Sequence, residues 1–209
     1  MATQLSVYND ALFIVGERRL TALTDPGEPR RVLDDLWVNV PKYCLEQGHW
    51  KFAQRAVKID YSLTEVPTFG HRRAFAKPAD YVRLSALCSD EYFNAPLAQY
   101  ADRGLFWYAD VDSIYVSYVS NGASYGGDLT RWPESFTLYV AHYLAYRAST
   151  RIAGTADRRV LVAEMQQTKL NALAKDAMLG PTQFLPSGSW AQARAGSPSG
   201  RHSRTSLYG

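Results

Sequence analysis

Residues 113–120 read Ser-Ile-Tyr-Val-Ser-Tyr-Val-Ser, and this stretch decides the fold. Apolar or aromatic residues fall at every second position, so Ile114, Val116 and Tyr118 face one side of a β-strand. Two turn signals precede it, Asp102-Arg103-Gly104 and the run 110–113. Together they predict three short strands between 97 and 119, joined as a meander by tight turns. A meander of this size needs a further surface to pack against.

The chain before the meander is also extended. Val57, Ile59 and Tyr61 alternate with charged residues, which is typical of a strand. Residues 75–78 end in proline and therefore avoid helical angles. The segment 81–87 fits either a strand or a helical turn. We therefore assign residues 49–129 to one small antiparallel β domain.

Helical periodicity flanks this β region on both sides. Apolar residues recur every three or four positions over 5–15, over 29–47 and, after Trp132, over two long segments that extend to Met178. Pro41 falls inside the second pattern and is expected to kink or divide that helix. The predicted fold class is α+β. An antiparallel bundle of about four helices (1–48 and 130–180) carries the β insertion (49–129) and an extended C-terminal arm (181–209).

The net charge of +3 lies in the arm, which contains Arg194, Arg201 and Arg204 and no acidic residue. The remaining body is neutral, which argues against a tight nucleic-acid binder, because such proteins carry a basic face. The amino terminus lacks a secretory signal, and no apolar run is long enough to span a membrane. Cys44 and Cys88 are expected to be small buried residues in a reducing compartment.

The arm is rich in Pro, Gly and Ser, a composition that forms no stable structure alone. Fully extended, it would reach roughly 95 Å. Large side chains are nevertheless spaced along it, as expected of a segment that becomes ordered on a partner. The predicted contact residues are Phe184, Leu185, Trp190, Arg194 and Tyr208.

Catalytic, metal and cofactor motifs are not found in the sequence. The four histidines are widely spread, and the Gly-rich run 121–127 lacks the lysine of a phosphate-binding loop, so we expect a flexible loop there. An enzyme, such as a cell-wall hydrolase, would need two carboxylates that face one cleft. A DNA-binding module is the other alternative, because four arginine pairs occur: Arg18-Arg19, Arg30-Arg31, Arg72-Arg73 and Arg158-Arg159.

Several short segments, in order along the chain, resemble one known family, the podovirus-type tail tubular protein A and related head-to-tail adaptors. The helix end 12–17 resembles an "IGE"-like stop, and 30–34 resembles the family's second helix. The run 49–53 (His-Trp-Lys-Phe-Ala) resembles a "GW-x-F" signal, and 77–83 resembles an "LPxDxxR"-like segment with Lys77 in place of an apolar residue. Residues 132–136 resemble the "P-x-x-F" that opens the third helix, and 188–194 resemble a tail segment of some relatives.

This resemblance implies a structural virion protein without enzymatic activity, cofactor or metal, assembled in the host cytoplasm. It implies a dodecameric ring whose helical part and arm hold the portal. The β part would meet the next tail ring, the tube or nozzle. Double-stranded DNA would pass through the channel without specific binding. The β-domain residues expected to contact the tail ring are Arg72, Arg73, Tyr118 and Tyr125.

Overall fold

The computed structural model describes residues 2–152 and 157–180. The helices in these residues are α1 (Gln4–Val15), α2 (Glu28–Trp37), α3 (Val40–Glu46), α4 (Glu134–Ile152) and α5 (Arg158–Met178). The strands are β1 (Gln54–Asp60), β2 (Arg73–Ala76), β3 (Tyr81–Cys88), β4 (Ala101–Arg103), β5 (Phe106–Ala109) and β6 (Ser113–Ser120). Residues Met1–Leu179 form one compact unit.

The mixed α+β class is compatible with this structure, but the expected antiparallel bundle of about four helices is wrong. The described residues form five α-helices, and α4 lies at the centre, in contact with α1, α2, α3 and α5. The second predicted helix is divided into α2 and α3, as its proline predicts. Because Pro41 lacks an amide hydrogen, it is accommodated in the first turn of α3 rather than in a helix interior.

The predicted meander is also wrong, because its third strand belongs to another sheet. One antiparallel sheet has the order β2-β5-β4, and the other has the order β1-β6-β3. β4 and β5 form a hairpin, whereas β6 crosses over and pairs with β1 and β3 on its two sides. Alternation fixes which face a side chain occupies but not which strand is the neighbour.

The two sheets share one hydrophobic core. Ile114, Val116 and Tyr118 of β6 are fully buried against Phe75 of β2 and Trp107 of β5. The alternation predicted from the sequence is therefore confirmed for this face of β6.

A second core lies among the helices and is rich in aromatic side chains. Phe136 of α4 is fully buried at its centre. Its ring lies 4.8 Å from that of Trp50, 4.9 Å from that of Phe52 and 4.9 Å from that of Trp132, measured between centroids. Val119 of β6 is buried in this helical core, so β6 contributes to both cores.

We predict that Phe136→Ala lowers the free energy of unfolding by about 3–5 kcal/mol, because it leaves a cavity among three aromatic rings. Phe69→Ala is the matched control, since Phe69 is 77% exposed and its loss is expected to change stability by less than about 0.5 kcal/mol. Urea unfolding followed by tryptophan fluorescence measures both. Equal effects of the two substitutions would contradict this description of the core.

Candidate functional site

The connection between β1 and β2 projects apolar side chains from one end of the β region. We call residues 62–70 the tip loop. Leu63, Val66 and Phe69 are 82%, 71% and 77% exposed. Three large, exposed apolar side chains on one short loop make it a candidate contact surface.

The base of the tip loop is firmly anchored. The backbone N–H of Ser62 donates to the carbonyl of Ala74 at 2.7 Å, and that of Tyr61 donates to the carbonyl of Asp112 at 3.3 Å. On the other side, the Arg73 guanidinium lies 3.8 Å from the Tyr61 ring centroid and 3.2 Å from the Asp112 carboxylate. Hydrogen bonds, an ion pair and a cation–π contact thus hold the base of the loop in place.

Arg72 and Arg73, two of the residues expected to contact the tail ring, lie at this base. Arg72 is exposed, and its backbone N–H donates to the Asp110 carboxylate at 2.8 Å. Tyr125 lies beyond the opposite end of β6, where its ring meets the Arg55 guanidinium at 5.6 Å. The structure therefore does not bring these predicted residues together in one site.

The expectation that Tyr118 contacts a tail ring does not fit its position. Its side chain is fully buried between the two sheets, and its hydroxyl donates to Asp80 at 2.9 Å. Burial, followed by the nearby Asp80 carboxylate, raises the pKa of Tyr118, so the phenol stays protonated as a donor. Its alternation with Ile114 and Val116 was the signal that it faces the core.

The Asp80 carboxylate joins three parts of the chain. It accepts hydrogen bonds from Tyr118 and Ser120 of β6, at 2.9 and 2.5 Å, and pairs with Arg55 of β1 at 2.8 Å. Its backbone carbonyl accepts the N–H of Asn121 at 3.0 Å. Burial alone would raise the pKa of Asp80, but the hydrogen bonds from Ser120, Arg55 and Tyr118 outweigh it and hold the pKa below its usual value.

The Gly-rich run is a compact turn rather than the flexible loop that we expected. The N–H of Gly126 donates to the carbonyl of Ser120 at 3.0 Å, and that of Gly127 to the carbonyl of Gly122 at 3.0 Å. A Cβ at Gly126 would lie 2.4 Å from the Ser120 carbonyl oxygen, so this close approach requires glycine. The Trp132 indole N–H donates to the Gly126 carbonyl at 2.9 Å and joins the turn to the start of α4.

The outer face of α5 is a second apolar surface. Leu161 and Ala172 of this helix are buried. On the opposite side a stripe of mainly apolar or small residues is exposed, with the heptad spacing of a helix that packs on another helix. Its members are Val160, Ala163, Gln167, Leu170, Ala174 and Ala177. The side chain of Met178 is 81% exposed and extends this stripe.

A cleft of about 260 Å³ contains two acidic residues, Glu134 and Asp176, and is lined in part by Trp50 and Phe136. One oxygen of Asp176 already accepts the backbone N–H of Lys51 at 2.9 Å. Burial raises the pKa of Asp176, although that hydrogen bond opposes the rise. The Asp176 carboxylate is therefore already engaged in a hydrogen bond that holds the backbone of Lys51.

Each arginine pair has one member engaged within the chain. Arg30 pairs with Asp34 at 2.9 Å and Arg73 with Asp112 at 3.2 Å. Arg19 and Arg158 lie over the rings of Phe13 and Tyr146, at 5.9 and 4.9 Å from the ring centroids. Such neutralised or stacked arginines are less available to phosphates.

Both cysteines are buried free thiols, as we expected from the sequence. Burial raises the pKa of the Cys44 thiol to about 12, so this residue is a poor nucleophile at neutral pH. Among the described residues, no three acidic, cysteine or histidine side chains are grouped to hold a metal ion. In the same residues, every helix is too short or too polar to cross a bilayer.

The predicted arm contacts, Phe184, Leu185, Trp190, Arg194 and Tyr208, lie outside the described residues. Comparison with known proteins finds no family model that matches this chain and no curated protein that matches it.

We predict that Asp80→Asn lowers the free energy of unfolding by about 1–3 kcal/mol at pH 7, because buried donors lose a charged acceptor. Since the folded-state pKa of Asp80 is lowered, its contribution is complete above the unfolded value of about 3.9 and is lost as pH falls through the lower folded value. The difference between wild type and variant should therefore narrow below about pH 4.

Urea unfolding midpoints at several pH values measure this difference. Asp35→Asn is the control, because Asp35 is exposed on α2 and its substitution should have little effect. A wild-type advantage that persists undiminished in strong acid would contradict this role of Asp80.

Proposed function

We propose that this chain is a structural ring subunit of the head-to-tail connector of a tailed phage, without catalytic activity of its own. In this proposal it joins the portal to the tail tube or nozzle in the virion, and its ring encloses the path of the DNA. One observation carries the proposal: α5 is apolar on two opposite faces, one packed on α4 and one exposed. Exposed apolar residues on the side of a helix opposite its packed face indicate a contact surface, so the outer face of α5 is expected to bind a partner.

The contacts of the resemblance residues support the proposal. Trp50 and Phe52, of the "GW-x-F"-like segment, pack against Phe136, of the "P-x-x-F"-like segment. Asp80, of the "LPxDxxR"-like segment, binds β6, and Arg83 donates to the Glu46 carbonyl at 2.9 Å. Segments far apart in sequence that carry the resemblance thus contact one another, and Arg83 joins β3 to the end of α3.

The cleft that contains Glu134 and Asp176 is the observation that favours the hydrolase alternative, because a glycoside hydrolase uses two carboxylates that face one cleft. Against it, Asp176 anchors the backbone of Lys51 and its cleft is small. Release of soluble sugars from purified cell walls by the full chain, and its loss in Glu134→Gln, would favour the hydrolase over the connector. The DNA-binding alternative would require affinity for duplex DNA at low salt.

We predict that Leu170→Glu weakens binding to the portal ring of the same virion by tenfold or more, because it places a charge in the outer stripe of α5. Leu170 is 61% exposed, so the variant should fold normally. Gln99→Glu is the control, since it adds the same charge to an exposed polar position outside the helices. Electron microscopy and mass photometry of portal mixtures measure the complex. A wild-type chain that never joins portal rings would refute the connector proposal.

Deletion of 181–209 should leave a folded body but weaken portal binding, because the arm carries Phe184, Trp190 and Arg194, residue types frequent at binding hot spots. The body, Met1–Leu179, is already one compact unit. Circular dichroism reports on folding, and titration against the portal reports on affinity. Unchanged affinity in the truncated chain would show that the arm is not a portal contact.

A further inference from the structure

The side chains of the tip loop indicate what kind of surface would bind it. Its exposed large apolar side chains are Leu63, Val66 and Phe69, and the one ionisable residue in 62–70 is Glu65. At its base, Arg73 is paired with Asp112, whereas Arg72 is exposed and lies three residues beyond Phe69. The apolar tip, with Glu65 among its side chains, therefore fits an apolar groove that has a basic group at its edge.

A groove of this kind lies on the same molecule, where α2 meets α3 beside the Gly-rich turn. It has a volume of about 290 Å³ and is lined by Val38, Pro41, Leu129 and the rings of Trp37 and Trp132. The two indole rings lie 6.1 Å apart at an angle of 34°. A 150 Å³ apolar cavity holds a benzene molecule, so the groove has room for a phenyl ring and a further apolar side chain.

The charges of the two surfaces are complementary. Among the described residues that line the groove, Lys42 alone is ionisable, and it is exposed. Glu65 of the loop has the opposite charge. Opposite charges at the edge of an apolar contact set its orientation and disfavour other partners.

The loop and the groove lie at opposite ends of β6. The loop is anchored at Asp112, just before this strand, whereas Asn121, just after it, lines the groove. Eight residues of strand span roughly 23 Å. A contact between the two surfaces therefore joins different copies.

We propose that the tip loop of one copy packs Leu63, Val66 and Phe69 on the Trp37–Trp132 groove of a second copy, with the Phe69 ring inside the groove and Glu65 beside Lys42. This contact is heterologous, since it uses two different surfaces of each subunit, and its repetition closes into a ring when the rotation between copies permits. It rests on the proposed ring assembly, for which it supplies the contact between subunits, and it is a separate contact from portal binding.

A charge-swap experiment on the full chain tests this contact. Sedimentation velocity over a concentration series compares wild type, Glu65→Lys, Lys42→Glu and the double variant. Each single substitution places like charges together and should weaken self-association by tenfold or more, whereas the double variant should return to within about threefold of wild type. Failure of the double variant to recover, or a wild type that stays monomeric throughout, overturns the proposal.

A second pair of variants tests the apolar part. Phe69→Ser should abolish self-association, whereas Tyr92→Ser, at a side chain 75% exposed on another loop, should leave it unchanged. Thermal unfolding confirms that both variants are folded. If Phe69→Ser instead lowers portal binding and leaves self-association intact, the loop belongs to a foreign partner, and the proposed contact between copies is refuted while the connector function stands.

Discussion

The carboxylate of Asp80 connects the sheets to the start of α4. By accepting hydrogen bonds from Tyr118 and Ser120, the carboxylate fixes the end of β6. The backbone carbonyl of Asp80 accepts the N–H of Asn121, the first residue of the Gly-rich turn. That turn binds the Trp132 indole and so sets where α4 begins. Because the other four described helices all contact α4, one partly buried charge links the helical core to the sheets.

Local patterns in the sequence predicted much of the secondary structure. The helical stripes of α1, α4 and α5, the division at Pro41 and the buried face of β6 follow from periodicity and from backbone chemistry. The pairing of the strands could not be predicted from these patterns, because both strands that pair with β6 come from distant parts of the chain. Tyr118 was expected to contact the tail ring, whereas the structure buries its side chain completely, on the same strand face as Ile114 and Val116.

The contact surfaces were harder to predict than the fold. In the sequence, 62–70 is only a break between strands, and its apolar residues could equally have covered a core. Their exposure follows from the anchoring of Tyr61 and Arg73, which depends on the neighbouring turn at Asp112. The groove likewise combines α2, α3 and the Gly-rich turn, and its two tryptophans are 95 residues apart in sequence.

The proposed surfaces suggest how assembly is controlled. A nine-residue loop in a groove of about 290 Å³ buries less than the ~800 Å² per partner of a stable complex, so one contact alone is weak. In a closed ring, each copy makes two such contacts. The last contact forms between copies that are already joined through the rest of the ring. If the outer face of α5 holds each copy on a preformed portal ring, neighbouring loops and grooves reach a high effective concentration. Contacts between copies that need a high protein concentration in free solution then form at a low concentration on the portal.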